Sequence, residues 1–420
     1  MNIQPEISIY LDTRRIKANG KYPIKLRIHF VKSKLYSTLF DLTVDEFEDV
    51  YLTTKPQKKH KDLRAEIVAI ETKANKVSKE LKPFTFEEFE RKLYRKQGSE
   101  SNVNYHYQCK IDELNKREQL GSASSYELSR KSIITFIASS VKIGTKEKIK
   151  QKAEVKFQKL TFNDITISWL KDYEYFMVRT NSRSKTTVGI YLRNLRALFN
   201  NAIEQKDIDE SIYPFGVKRY SIPTSNNIKK ALDKIELKAL FEANPENVYQ
   251  QKAKDFWFFS YSCNGMNIKD IALLKHSDMD IDKFTFERAK TSNSTRENIP
   301  ITVYLNDFTN GVIKTYGNSS SVYLFDIVND RMTSEEKYKA VKNFTRYINQ
   351  HLKAMCKVNG LPENTTCYSA RHSFASNFVN NGASVVDAME YLGHSNITTT
   401  QNYLKSLSSK DNQTNTMMDF

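Results

Sequence analysis

The hydrophobic period changes once along the chain, and that change limits the fold more than any single residue does. Apolar residues recur at every second position in Ile7-Ser8-Ile9-Tyr10-Leu11 and in Tyr22 to Phe30, and Lys32 to Phe40 completes a third strand. A period of two belongs to half-buried strands. Between the first two runs, Ala18-Asn19-Gly20-Lys21 carries the Asn-Gly pair that supplies positive φ in a turn. Further on the period lengthens to that of a helix. It is clearest in Val188, Tyr191, Leu192, Leu195, Leu198, Phe199 and Ala202. The pattern predicts an α+β, multidomain chain. A small three-stranded β unit spans 1–55, a helical linker 56–102, a helical domain 103–216 and a polar linker 217–230. A mainly α domain with a β-hairpin spans 231–410, and 411–420 is a tail.

Local signals refine these elements. Ser124-x-x-Glu127, Thr161-x-x-Asp164 and Asp233-x-x-Glu236 read as capping boxes. Ser184 caps the helix of Val188, Trp169, Leu170, Tyr173, Phe176 and Met177 line one face of the helix before it, and Leu237, Leu240 and Phe241 turn inward after the linker. Phe256 to Tyr261 reads as a buried helix ending near Gly265, and Asn267 opens the next one. Phe284 to Thr291 reads as a strand that returns at Ile299-Pro300-Ile301. On such a strand Arg288 and Lys290 share a face.

The chain has 420 residues and a formal charge of +16, with a pI near 9.3. So much positive charge points to a polyanionic partner, most often nucleic acid. Two clusters are candidates for double-stranded DNA contact. Arg14, Arg15, Lys21, Lys25 and Arg27 crowd the β unit, where a sheet with one cationic face can lie in a groove. Lys185, Arg193 and Arg196 line the polar side of the long helix, with Arg183 just before it. The competing readings are an edge protected by lysines and a plain solvated face. No run approaches the ~20 apolar residues of a membrane span, and the N-terminus lacks the pattern of a signal peptide, so a cytoplasmic location without membrane partners is expected. Cys109, Cys263, Cys356 and Cys367 lack metal or redox spacing and read as free thiols.

Phosphate-binding GxxxxGK[ST], HExxH and GxSxG motifs are absent, as is a clustered carboxylate set, so neither a metal nor another cofactor is expected. Asp278-x-Asp280-x-Asp282 lacks the Gly and distal Glu of a calcium loop and reads as a turn. What remains is a group near the C-terminus. Tyr368-Ser-Ala-Arg371-His372 opens a helix, Leu392-Gly393-His394 follows, and Thr398-Thr399-Thr400 leads to Tyr403. A fixed cation, a hydrogen-bond donor and a nucleophile are what metal-free phosphodiester chemistry requires.

The order of Lys290 on a hairpin, Arg371-His372, Leu392-Gly393-His394 and Tyr403 resembles the active-site box of the tyrosine recombinases, the phage-integrase family. The likeness covers about residues 230 to 405. It implies a SAM-like core-binding domain before that stretch and an arm-type DNA-binding domain in the β unit. It implies that Tyr403 attacks phosphorus to leave a 3′-phosphotyrosyl bond, Arg371 grips the phosphate, His394 bonds the same phosphate and Lys290 protonates the leaving oxygen. A tetramer on paired recombination sites, with accessory DNA-bending proteins, is also implied. Two positions depart from the pattern. Asn267 stands where the first arginine is expected, three residues before the usual acidic residue, here Asp270. Tyr368 stands where a histidine is expected, and a phenol of pKa ~10 is a poor base. Arg288 is then a candidate for the missing cation or for a contact to flanking DNA, while His372 reads as structural more than catalytic. An integrase of a mobile element is the leading expectation. An invertase or resolvase of the same family and a decayed DNA-binding protein are its rivals.

Overall fold

The structure is a computed structural model that describes residues 4–94, 100–141, 144–224, 231–289, 300–393 and 396–405. The chain divides into two compact units, 1–102 and 103–420.

In the first unit β1 (Glu6–Leu11), β2 (Tyr22–Phe30) and β3 (Lys32–Leu42) form an antiparallel sheet in sequence order. Alternation sorts their faces: Ile9, Leu11, Ile24, Leu26, Ile28 and Tyr36 are buried on one side. The short helix α1 (Val44–Phe47), held by a Thr43–Glu46 capping box, leads to the long α2 (Lys61–Glu80) and to α3 (Phe86–Leu93). Residues 56–102 were expected to link domains. Their helices instead complete the core of the sheet: Ile67, Ala74, Val77, Leu81, Phe84, Phe89 and Leu93 pack in one cluster with the strand residues. An isolated three-stranded sheet has too little to bury, and the stripe on α2 covers its apolar face.

The second unit opens with a helical bundle: α4 (Val103–Lys116), α5 (Leu120–Ser139), α6 (Lys146–Lys159), α7 (Ile167–Tyr175) and α8 (Lys185–Glu204). Their shared core holds Tyr107, Phe157, Phe162, Tyr173, Leu192, Leu195 and Phe199. The Ser184 hydroxyl accepts from the Thr187 amide at 3.2 Å, and Thr161–Asp164 closes a capping box. Ser124 is not a cap. The helix starts a turn earlier, at Leu120, because the Ala123 amide already bonds the Gln119 carbonyl and Ala123 is packed inside. The linker expected from Val217 likewise begins later. Tyr220 is buried and donates to Glu174 at 2.6 Å, and the Pro223 carbonyl lies where only Gly189 on α8 leaves room for it.

The remaining helices are α9 (Lys234–Glu242), α10 (Val248–Ser262), α11 (Ile268–Leu273), α12 (Asp307–Tyr316), α13 (Ser334–Val358), α14 (Cys367–Asn380), α15 (Val385–Tyr391) and α16 (Ile397–Lys405). Phe241 on α9, expected inside, is half-exposed and lies edge-on to Phe258 at 5.1 Å. The strands β4 (Lys283–Phe286) and β5 (Ile301–Tyr304) pair antiparallel. β4 is shorter than expected. Its ladder ends at Phe286, and beyond it the Ala289 amide donates to the Asp270 carboxylate at 3.0 Å. Arg288 therefore lies beyond the strand, and alternation does not set its direction. Among the described residues no helix is long and apolar enough to cross a membrane, no group of three His, Cys, Asp or Glu could hold a metal, and all four cysteines are free.

Candidate functional site

The site is built on α14. The Trp257 indole on α10 donates to the Thr366 carbonyl at 2.9 Å, and Asn349 on α13 accepts from the Cys367 amide at 2.8 Å. Further along, the Ser373 hydroxyl accepts from the Leu232 amide at 2.8 Å, and Asn377 donates to the Leu232 carbonyl at 3.2 Å. These bonds fix the helix on the side opposite solvent. Arg371 on it is only 3% exposed.

Arg371 points between two backbone turns. One Nη donates to the Gly265 carbonyl at 3.1 Å, and the other donates to the Leu392 carbonyl. Arg288 comes from the far side of the hairpin, 8% exposed, and donates to Leu392 and Gly393 carbonyls at 3.1 and 3.0 Å. The two guanidinium groups thus share one acceptor, the Leu392 oxygen. Both turns need glycine. Gly265 has φ +65°, and a Cβ there would fall 2.8 Å from the Arg371 Cα. Gly393 has φ +59°, and its Cβ would fall 2.8 Å from the Arg288 Cδ.

Asp270 sits beneath this pair. It is 5% exposed, and burial pushes its carboxyl above the ordinary range, against the Ala289 amide, Arg288, Asn267 and Arg371, which act the other way. By holding Ala289 it fixes the backbone on which Arg288 rides. Asn267 caps α11 in the place where an arginine was expected.

Tyr368, on the first turn of α14, is 46% exposed, and its ring meets that of His372 edge-on at 4.8 Å. His372 is buried and packs rather than facing solvent. Lys290 and His394 lie outside the described residues. Tyr403 falls within α16, but its side chain lies outside them as well. That helix is seated by Thr400, which is fully buried, and by Leu404, which packs against Ala375 and Leu392.

The residue types alone did not reveal the carbonyl acceptors of Gly265 and Leu392. Gly265, two residues before Asn267, and Gly393, beside His394, were the available signals. Of the basic clusters, Arg183, Lys185, Arg193 and Arg196 are all exposed along α8. In the β unit Arg14 and Lys25 both pair with Asp12 at 2.7 Å and Lys21 pairs with Glu46 at 2.8 Å, while Arg15 and Arg27 are exposed.

Comparison with known proteins agrees with this layout. Residues 230–410 match the profile described as "Phage integrase family", 102–222 the "Phage integrase SAM-like domain" and 9–89 the "Arm DNA-binding domain". The chain is 28% identical over 229 residues to tyrosine recombinase XerA of Thermococcus kodakarensis, spanning 54% of this chain and 73% of that protein. It is 46% identical over 57 residues to tyrosine recombinase XerC of Rickettsia canadensis, of which it spans 19%. Among solved structures it is similar to the Tn1549 transposon integrase in complex with transposon right end DNA (TM-score 0.43, 17% identity, 66% of this chain and 94% of that one). It is also similar to a lambda integrase dimer bound to a COC′ core site (TM-score 0.42, 15% identity, 67% and 94%). With the profiles of its arm-binding, SAM-like and catalytic domains matched in that order, the chain belongs to the phage integrase family of tyrosine recombinases.

Proposed function

We propose that this protein is a site-specific recombinase that integrates and excises a mobile element by cutting and rejoining DNA through a 3′-phosphotyrosyl intermediate. The observation that carries this reading is the convergence of Arg371 and Arg288 on the Leu392 carbonyl, at the turn leading into the helix of Tyr403. Tyr403 gives its phenolic proton to water as its oxygen bonds to phosphorus and the bond from phosphorus to the 5′-oxygen breaks. Arg371 and Arg288 stabilise charge on the non-bridging oxygens, with His394 bonding one of them, and Lys290 protonates the departing 5′-oxygen. Attack by a 5′-hydroxyl of the partner duplex reverses these steps and conserves the bond energy, without a metal or other cofactor. Arg288 supplies the cation that Asn267 does not. Tyr368 lines the phosphate, and His372 supports Arg371 by packing.

The exposed basic side of α8 contacts the core-type site, the sheet contacts arm-type sites, and four subunits assemble on two duplexes in the cytoplasm with the help of DNA-bending proteins. The N-terminal sheet favours an integrase over an invertase or resolvase of the same family.

The test is trapping on a nicked duplex carrying the sequence that the full chain selects from a random library. Wild type should form a denaturation-resistant protein–DNA adduct, and Tyr403→Phe should form none. If wild type binds the duplex without forming an adduct, the protein is a decayed DNA-binding relative, the reading that Asn267 would then favour.

A further inference from the structure

The outward face of the N-terminal sheet is a grid set by strand register. Ser8, Arg27 and Leu35 form its middle row, flanked by Glu6–His29–Ser33 on one side and Tyr10–Lys25–Ser37 on the other. Arg27 is the centre of that grid. Two inter-strand spacings of ~4.8 Å make the sheet about 10 Å across, close to the ~12 Å width of the DNA major groove. A sheet laid in the groove puts its middle strand over the base edges and its outer strands and loops against the phosphate ridges.

The cations of this unit differ in what already holds them. Asp12 is 5% exposed and takes Arg14 through two bonds, at 2.7 and 2.9 Å, and Lys25 at 2.7 Å. Drawing either cation away would leave a buried carboxylate short of a partner. Glu46 closes the α1 capping box through one oxygen and takes Lys21 at 2.8 Å through the other. Lys17 pairs with Asp41, and Lys34 with Glu90. Arg27 is bound differently. Its Nε donates to the Ser8 hydroxyl at 3.3 Å, and its guanidinium lies 5.5 Å from the centre of the Tyr10 ring. Among the described residues its two terminal nitrogens have no protein partner. A planar fork held from behind by a hydroxyl and a ring is pre-ordered to donate both bonds to guanine O6 and N7.

We propose that Arg27 is the residue through which the sheet reads sequence, by a two-bond contact to one guanine, while Arg14, Lys21 and Lys25 serve the fold. Arg15, exposed in the loop after β1 and without an acid partner among the described residues, contacts phosphate. The proposal rests on the arm-type role given above to this unit.

The test is selection of binding sequences from randomised duplexes by the full chain, followed by sequencing. Wild type should enrich two motifs. The double variant Arg193→Ala/Arg196→Ala, on α8, should weaken one of them and so mark the other as the sheet's. Arg27→Ala should erase the preference for one G·C pair in the sheet's motif, a loss of about tenfold or more in discrimination, and leave the α8 motif intact. Arg27→Lys keeps the charge but not the planar fork, and should bind with that base preference weakened. Lys25→Gln should leave both motifs unchanged. The assignment is overturned if Arg27→Lys keeps the full G·C preference. It is also overturned if Arg27→Ala weakens all sequences equally while lowering the salt dependence, if Lys25→Gln erases the same base pair, or if only the α8 motif is enriched. Enrichment of no motif by wild type would instead remove the recombinase reading itself.

Discussion

The N-terminal sheet and the turn at Leu392 hold their cations in different ways. In the N-terminal sheet most cations meet carboxylates: Lys25 and Arg14 on Asp12, Lys21 on Glu46, Lys17 on Asp41. In the catalytic unit the described bonds of Arg371 and Arg288 go to the backbone carbonyls of Gly265, Leu392 and Gly393. A carboxylate cancels the charge it orients. A carbonyl dipole orients a guanidinium and leaves its net charge in place for a phosphate. Burial then raises the value of that charge, because the surrounding medium screens it less than water does. The difference shows why residue type alone is a weak guide to how a cation is held.

The comparison breaks most directly at the arginines. Arg371→Ala and Arg288→Ala should each lower the single-turnover cleavage rate about 10²- to 10³-fold, the usual loss when one donor to developing charge is removed. Lys25→Ala should change it little. Near-normal cleavage by Arg288→Ala would remove it from the phosphate and leave it a structural tie. A smaller effect is expected from Gly393→Ala, which places a Cβ 2.8 Å from the Arg288 side chain at a positive φ. A strained residue of that kind costs about 1–3 kcal/mol. The melting temperature should fall accordingly, and DNA cleavage should fall with it while duplex affinity is kept.

The smallest effect concerns Asp270. Burial raises its folded pKa above the unfolded ~3.9, so the folded state holds its proton longer as pH rises. Stability from this group is therefore full below the unfolded pKa and is lost as pH climbs through the raised folded value. Asp270→Asn keeps an acceptor for the Ala289 amide and should flatten that decline in thermal melts taken between about pH 4 and 7. An unchanged slope would mean that the arginines already offset the cost of burial.

Much of the fold could be read from periodicity. β1 and β2 follow the alternation of their apolar residues, and α8 follows its 3.6-residue stripe from the Ser184 cap onward. The misreadings have local causes. Ser124 carries a cap pattern, yet the turn before it is already helical. The linker reading of 56–102 failed because the stripe of Ile67, Ala74 and Val77 shows that a face is apolar without showing what covers it. In the site, Arg371 and Arg288 were legible as candidates because arginine suits phosphate. Their juxtaposition was not legible, since it depends on where the chain brings Leu392, 104 residues from Arg288 in sequence. Alternation along a strand was the wrong rule for Arg288, because the ladder ends at Phe286, two residues before it, and the backbone beyond is held by Asp270.

The single oxygen of Leu392 acts as an interlock. Both guanidinium groups lean on it, and its side chain seats Leu404 beside the proposed nucleophile. Displacing the helix that bears Tyr403 would therefore disturb the one turn on which both arginines rest.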